Sequence, residues 1–286
     1  MTEHQVFAAD WLSMREPADH AARSEALFNQ LAPFLAEKAS QRPDLRIVDL
    51  GAGSGSNLRW LAPRLNHAQI WTLVDRDAGL LARAQVAAEQ TPTAQPTRVQ
   101  TVEADLSNSD LPWIAGADLV TAAAFFDLVS MDWIEQLSRA CAGAGAAGLF
   151  VLSVDGRRGL METDGSTIED EDDLFLENLF NEHQRRDKGL GAALGPGAAP
   201  FLARSLAAHG FQVETRPSDW RLPAGRDLTR ALGRELLQGW RDAAVEQAPE
   251  AASRIEAWHQ QRQTALAAGR LGLYVGHLDI LALPPS

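Results

Sequence analysis

The chain has 286 residues, and its 38 acidic side chains against 26 lysines and arginines leave a formal charge of −12. That balance argues against a protein that grips a nucleic-acid backbone, because neutralising phosphates takes a surplus of cations, and the single cysteine, Cys141, excludes an internal disulfide or a cysteine-rich metal site. The N-terminus has no basic-then-apolar signal pattern and no run approaches the ~18 apolar residues of a membrane span, so a soluble cytoplasmic protein is expected.

Residues 1–44 read as a helical cover, with Leu27, Phe28, Leu31, Phe34 and Leu35 at helical spacing until Pro43 and Asp44 break the pattern. Leu45 to Leu50 is a short apolar run that ends in glycines, which predicts a buried strand. Asn57 to Leu65 reads as a helix and Gln69 to Val74 as a second strand that ends at Asp75. Asp77 caps a helix running to about Glu89. Strands follow at Arg98 to Val102, Ala117 to Ala124 and Gly148 to Val154, with a helix at Trp133 to Ala142 before the last of them. Such alternation predicts an α/β protein with a mostly parallel sheet covered on both faces.

The alternation stops at residue 156. Seven acids lie between Glu162 and Asp173, where a solvated loop is expected rather than a cation site. A helix is expected from Leu174 to His183, a flexible stretch from Lys188 to Pro200, a helix at Ala198 to Ala208 and a strand at Phe211 to Thr215. Two charged amphipathic helices cover roughly 226–247 and 250–268, and Leu271 to Leu283 reads as a closing strand. The expected division is a helical cover (1–44) and one main domain (45–286) that carries a lid insertion (156–197) and a helical insertion (226–268).

The informative stretch is Asp49-Leu50-Gly51-Ala52-Gly53-Ser54-Gly55-Ser56-Asn57. Glycines between a strand end and a helix start let backbone approach a ligand, and the exposed N–H groups favour a negative ligand group. Asp75, at the end of the next strand, can accept hydrogen bonds from both hydroxyls of a ribose. Together these form a nucleoside-cofactor module. The dinucleotide fingerprint wants a third glycine where Ser56 stands. Asp49 would repel a pyrophosphate but would favour a cationic amino acid group.

At these residues the sequence resembles the class I S-adenosylmethionine-dependent methyltransferases. Ile47 to Gly55 is similar to that family's first motif, Trp71 to Asp75 to its ribose-binding strand end, and Val102 to Leu106 to the third-strand motif whose acid meets the adenine amino group. The resemblance covers residues 45–155 and implies a Rossmann-like seven-stranded doubly wound sheet, mostly parallel with the last strand antiparallel. It implies that S-adenosyl-L-methionine, leaving as S-adenosyl-L-homocysteine, is held by Asp49, Gly51, Ala52, Gly53, Ser54, Gly55 and Asn57. Asp75 and Arg76, Asp105 and Leu106, and Ala124 would continue the site, with Arg23 or Arg15 meeting the cofactor carboxylate from the N-terminal helices, although a mere packing helix is an equal alternative there. Asp49 as a loop cap, Asp75 as an exposed acid and Asp105 as an Asx turn are the structural alternatives.

Methyl transfer needs alignment and water exclusion more than a fixed catalytic set. Asp127 either orients substrate or takes a proton, or it caps the next helix. His183 can serve as a general base. Phe126, Asp155, Arg186 and Lys188 are the candidate substrate contacts, the two cations for a carboxylate or phosphate. For Asp155 the alternative is a turn, and for the cluster around His183 a solvated helix end. No metal site is expected. The acceptor is expected to be a small, possibly anionic molecule, on a monomer or homodimer, with neither nucleic acid nor membrane as partner. The rivals are a nicotinamide-dependent oxidoreductase, a non-catalytic binder of the same cofactor, and a protein or RNA methyltransferase.

Overall fold

The structure is a computed structural model and describes residues 9–108, 110–168, 170–184 and 193–285. Its helices are α1 (Ala9–Ala22), α2 (Glu25–Gln41), α3 (Ser56–Leu61), α4 (Ala78–Gln90), α5 (Met131–Ala144), α6 (Glu171–Gln184), α7 (Ala198–Ala208), α8 (Asp227–Gln247) and α9 (Ala252–Ala267). The strands are β1 (Leu45–Leu50), β2 (Gln69–Asp75), β3 (Thr97–Glu103), β4 (Leu119–Ala123), β5 (Ala147–Met161), β6 (Gln212–Pro217), β7 (Trp220–Leu222) and β8 (Gly272–Leu283). No helix among the described residues is long and apolar enough to cross a membrane.

Side chains set several of these boundaries. Ser24 caps α2 by accepting from Leu27 N, and Asp77 caps α4 by accepting from Leu80 N. Ser130, rather than Asp127, caps α5, and Gly145 closes that helix in the left-handed region. The strand order is β3-β2-β1-β4-β5-β8-β6, with β7 also paired to β8. Pairing is parallel from β3 through β5 and antiparallel wherever β8 takes part. The chain reverses its direction of winding between β1 and β4, and ligands of such sheets bind at the carboxyl ends beside that switch.

Each face of the sheet buries its own apolar layer. On one face Leu27, Leu31 and Leu35 of α2 pack with Trp60, Trp71 and Leu81; their spacing of four residues sets one helical stripe against the sheet. On the other, Phe126, Trp133, Ile134, Phe150 and Leu202 pack together, with Phe126 edge-on to Phe150 at 5.0 Å between ring centres. Cys141 lies buried in this second layer, where burial pushes its thiol up to about 12. A third cluster joins α6, α8 and α9 through Trp240, Ile255 and Trp258.

The structure departs from the expected pattern in three places. β5 continues to Met161, paired with β8 as far as Gly272, so the first six residues of the expected 156–197 insertion belong to the sheet. β7 adds an eighth strand that continues the line of β6 along β8, and three residues are too few to show a period. The acidic segment is anchored. Asp173 and Asp170 accept from Arg262 at 2.8 Å, Asp173 also accepts from Trp258 Nε1 at 2.6 Å, and Arg254 bonds Asp172. These acids tie the start of α6 to α9.

Candidate cofactor site

The carboxyl ends of β1, β2 and β4 open into a cavity of about 630 Å³. The glycine loop forms its floor. Gly51 and Gly53 have φ of +64° and +53°, a region that β-carbon atoms rarely tolerate. A Cβ on Gly51 would lie 2.7 Å from the Phe125 ring, so backbone and ring can meet only without one. Gly55 does not line the cavity: it packs under α4, where an added Cβ would lie 3.0 Å from Ala84 Cβ.

Asp75 fixes the loop from the next strand. Its Oδ2 accepts from Gly53 N at 2.8 Å and its Oδ1 from Asp77 N at 3.0 Å. Asp105 also faces the cavity while accepting from Ser107 N at 2.9 Å, so it is an Asx turn and a wall residue at once. Arg76, Leu106, Ala52, Ser54 and Ala124 complete the expected wall, Ala124 with φ +51°.

The inner end holds a buried polar network. Asn57 donates to Asp49 Oδ1 at 2.9 Å and to Thr121 Oγ1 at 2.6 Å, and accepts from Arg23 Nη1. Arg23 is 4% exposed and Asp49 1%, yet Arg23 Nε and Nη2 and Asp49 Oδ2 have no partner. Burial pushes the Asp49 carboxyl up to about 7, against the opposing pull of Asn57 and Arg23. Burial also lowers the Arg23 guanidinium to about 10, while Asp19, Asp279 and Asp49 hold it charged.

Helix α1 roofs the cavity with Leu12, Arg15 and Asp19. Arg15 is taken up by Asp19 at 2.9 and 3.1 Å, and Trp220 Nε1 donates to Asp19 at 3.0 Å. Further along the helix Glu16 accepts from Arg59 Nε at 2.6 Å, and His20 Nε2 lies 3.1 Å from both Ser56 O and Ser56 Oγ. The roof is thereby bonded to the start of α3.

Several sequence candidates fall elsewhere. His183 does not line the cavity; it pairs with Glu246 of α8 at 3.1 Å, as a solvated helix end does. Phe126 is a core residue with no exposure, and its neighbour Phe125 faces the cavity instead: the turn after β4 aims alternate side chains in opposite directions. Asp127 sits in that turn and is not a wall residue. Asp155 accepts from Arg157 N and Nε at 2.9 and 2.8 Å, a local turn away from the cavity. Arg186 and Lys188 lie outside the described residues. The wall residues that sequence reasoning missed include Asp19, Leu12 and Leu128; the spacing of Arg15 and Asp19 by one helical turn is the signal that was there to find. Among the described residues no group of side chains could hold a metal ion.

Residues 47–145 match the family model of a methyltransferase domain. No curated protein matches the chain. Among solved structures, the provisionally assigned methyltransferase BH2331 of Bacillus halodurans C-125 is similar at 15% identity over 92% of this chain and 100% of that one, with a TM-score of 0.50. A methyltransferase of Geobacter sulfurreducens in complex with S-adenosyl-L-homocysteine is 20% identical over 98% and 100%, with a TM-score of 0.46. The cyclopropane synthase MmaA2 of Mycobacterium tuberculosis is 13% identical over 96% and 94%, with a TM-score of 0.47. The matched segment runs from β1 to the end of α5 and contains the glycine loop, Asp75, Asp105 and Ala124, so this part of the chain is similar to a methyltransferase domain, on a sheet of the order described above.

Proposed function

We propose that the chain transfers a methyl group from S-adenosylmethionine to nitrogen or oxygen of a small molecule, with the cofactor seated under α1. The observation that carries this reading is the pair of unmet buried charges, Arg23 Nε and Nη2 on one side of Asn57 and Asp49 Oδ2 on the other. Buried charges require partners, and these two suit the carboxylate and ammonium of one amino acid group. Asp75 keeps lone pairs free for ribose hydroxyls after serving Gly53 and Asp77. Asp105 and Leu106 border the adenine end. A pyrophosphate would meet Asp49 in this wall, which disfavours a nicotinamide cofactor.

Bound there, S-adenosylmethionine supplies an activated methyl group and its own leaving group. The chain binds and orients. Arg23, Asp49 and Asp75 hold the cofactor's two ends, and Leu12, Phe125 and Leu128 give the cavity apolar walls that exclude water. The described wall contains no imidazole, amine or thiol, so the acceptor reacts as a nucleophile aligned by the cavity, without His183. Carboxylates outnumber guanidiniums around it, which suits a cationic cofactor and gives an anionic acceptor little counter-charge beyond Arg76 and Arg15, the latter already bonded to Asp19.

Calorimetric titration with S-adenosylhomocysteine and with NAD tests the seat. Methyl-labelled cofactor offered with small-molecule, protein and RNA acceptors tests the reaction. Binding of S-adenosylhomocysteine alone, with label moving to a small molecule, is expected. NAD binding without S-adenosylhomocysteine overturns the cofactor, label on protein or RNA alone overturns the acceptor class, and cofactor binding without any transfer marks a non-catalytic binder.

A further inference from the structure

Strand β8 is apolar through most of its length, yet Asp279 lies within it at 1% exposure. Its Oδ1 accepts from Leu152 N and its Oδ2 from Ser24 N, both at 2.8 Å. Each of these amides falls where regular structure is interrupted. Leu152 sits where the register of β5 against β8 slips, between Phe150 and Ser153, and its φ is +58°, a strained setting for a non-glycine residue. Ser24 is the N-cap residue that opens α2, so its own N–H precedes the helical ladder. One carboxylate therefore joins a bulge in the sheet to the junction of α1 and α2.

Both joined pieces border the cofactor cavity. Arg23, which lines it, is the residue before Ser24. Val151, the residue before Leu152, accepts from Ala124 N at 3.0 Å, and Ala124 lines the cavity with its own positive φ. The charge of Asp279 also acts on the Arg23 guanidinium. Asp279 is not itself a wall residue.

We propose that Asp279 is a positioning residue for the cofactor's amino acid end, fixing Arg23 and the strand end at Ala124 without touching the cofactor. This rests on reading Arg23 as the receptor of the cofactor carboxylate. The test compares two ligands that differ by that end: S-adenosylhomocysteine and 5′-methylthioadenosine, which keeps the nucleoside and sulfur but lacks the amino acid. Calorimetry on the full chain covers Asp279→Asn, Asp279→Ala, Arg23→Gln and the double variant Arg23→Gln/Asp279→Asn.

Asp279→Asn keeps the side chain's shape and loses one acceptor and the charge. It is expected to weaken S-adenosylhomocysteine about tenfold, the scale of one charge-assisted hydrogen bond, and to leave 5′-methylthioadenosine within about twofold, which also reports that the variant is folded. The double variant is expected to bind S-adenosylhomocysteine no more weakly than Arg23→Gln alone, since the two residues act as one unit. Equal weakening of both ligands by Asp279→Asn, loss of folding included, or no weakening of either, overturns the proposal. Additive losses in the double variant overturn it too. If Arg23→Gln treats both ligands alike, the Arg23 reading fails on its own evidence, and a selective loss in Asp279→Asn would then show a different route of action. Asp279→Ala, which deletes both acceptors, is expected to show the same selectivity with a larger factor.

Discussion

Asp49 carries a burial cost that its replacement should remove. Its carboxyl is 1% exposed, one oxygen is unpartnered, and burial moves it from an ordinary 3.8 to about 7. The sign follows from proton binding. The folded chain holds this proton more tightly than the unfolded chain, so the contribution to stability is present below pH 4 and is lost as pH rises to about 7. With about 1.4 kcal/mol for each tenfold change in proton affinity, the loss totals ~4 kcal/mol, of which ~3 kcal/mol falls between pH 5 and pH 8. Asp49→Asn keeps the oxygen that Asn57 bonds and removes the charge. Urea denaturation without cofactor should therefore show the variant gaining on the parent by up to ~3 kcal/mol as pH is raised from 5 to 8. The same variant should bind S-adenosylhomocysteine more weakly, because the cofactor ammonium loses its counter-charge. A stability difference that does not change with pH would refute the argument for a buried, proton-binding Asp49.

Three further outcomes concern Asp75 and Gly51 in the wall and His183 outside it. Asp75→Ala should weaken cofactor binding by ~1–3 kcal/mol through lost charge-assisted hydrogen bonds; unchanged affinity in a calorimetric titration would remove Asp75 from the ribose. Gly51→Ala should destabilise the chain by ~1–3 kcal/mol, since its φ is +64° and the new Cβ meets the Phe125 ring, and a denaturation midpoint equal to the parent's would contradict that contact. His183→Ala should leave methyl transfer within about twofold of the parent, because an exposed ion pair with Glu246 contributes little. A collapse of turnover with intact cofactor binding would return His183 to the acceptor site.

What the sequence made legible depended on how locally each feature is encoded. The glycine loop with Asp75 and Asp105 is a short-range pattern, and Gly51, Gly53 and both carboxylates line the cavity, while the pattern does not foretell the bond of Asp75 to Gly53 N. The strand-helix alternation likewise yields the sheet. The turn after β4 misled by one residue: Phe125 and Phe126 are chemically alike, and only the local backbone decides which ring faces the cavity and which the core. His183 looked functional by company, among charged neighbours, but its partner Glu246 is 63 residues away. The acids of 162–173 looked solvated because Arg262, which binds two of them, belongs to a distant helix. Asp279 stands in a run read only as a closing strand, and its two amide partners, 127 and 255 residues away, leave no local mark in the sequence.

The roof helix α1 lies outside the segment that matches the methyltransferase domain, which begins at residue 47. The matched segment supplies the glycine loop, Asp75 and Asp105, while Arg23 and the covering side chains come from residues before it. On this reading the two ends of the cofactor are recognised by separately encoded parts, so selectivity between the whole cofactor and its nucleoside fragments is set by how firmly α1 is seated. Glu16, His20 and Arg59, whose bonds hold that helix to the start of α3, do not line the cavity, whereas Ser56 does. They offer a place where substitutions can retune ligand discrimination while every residue that contacts the nucleoside stays the same.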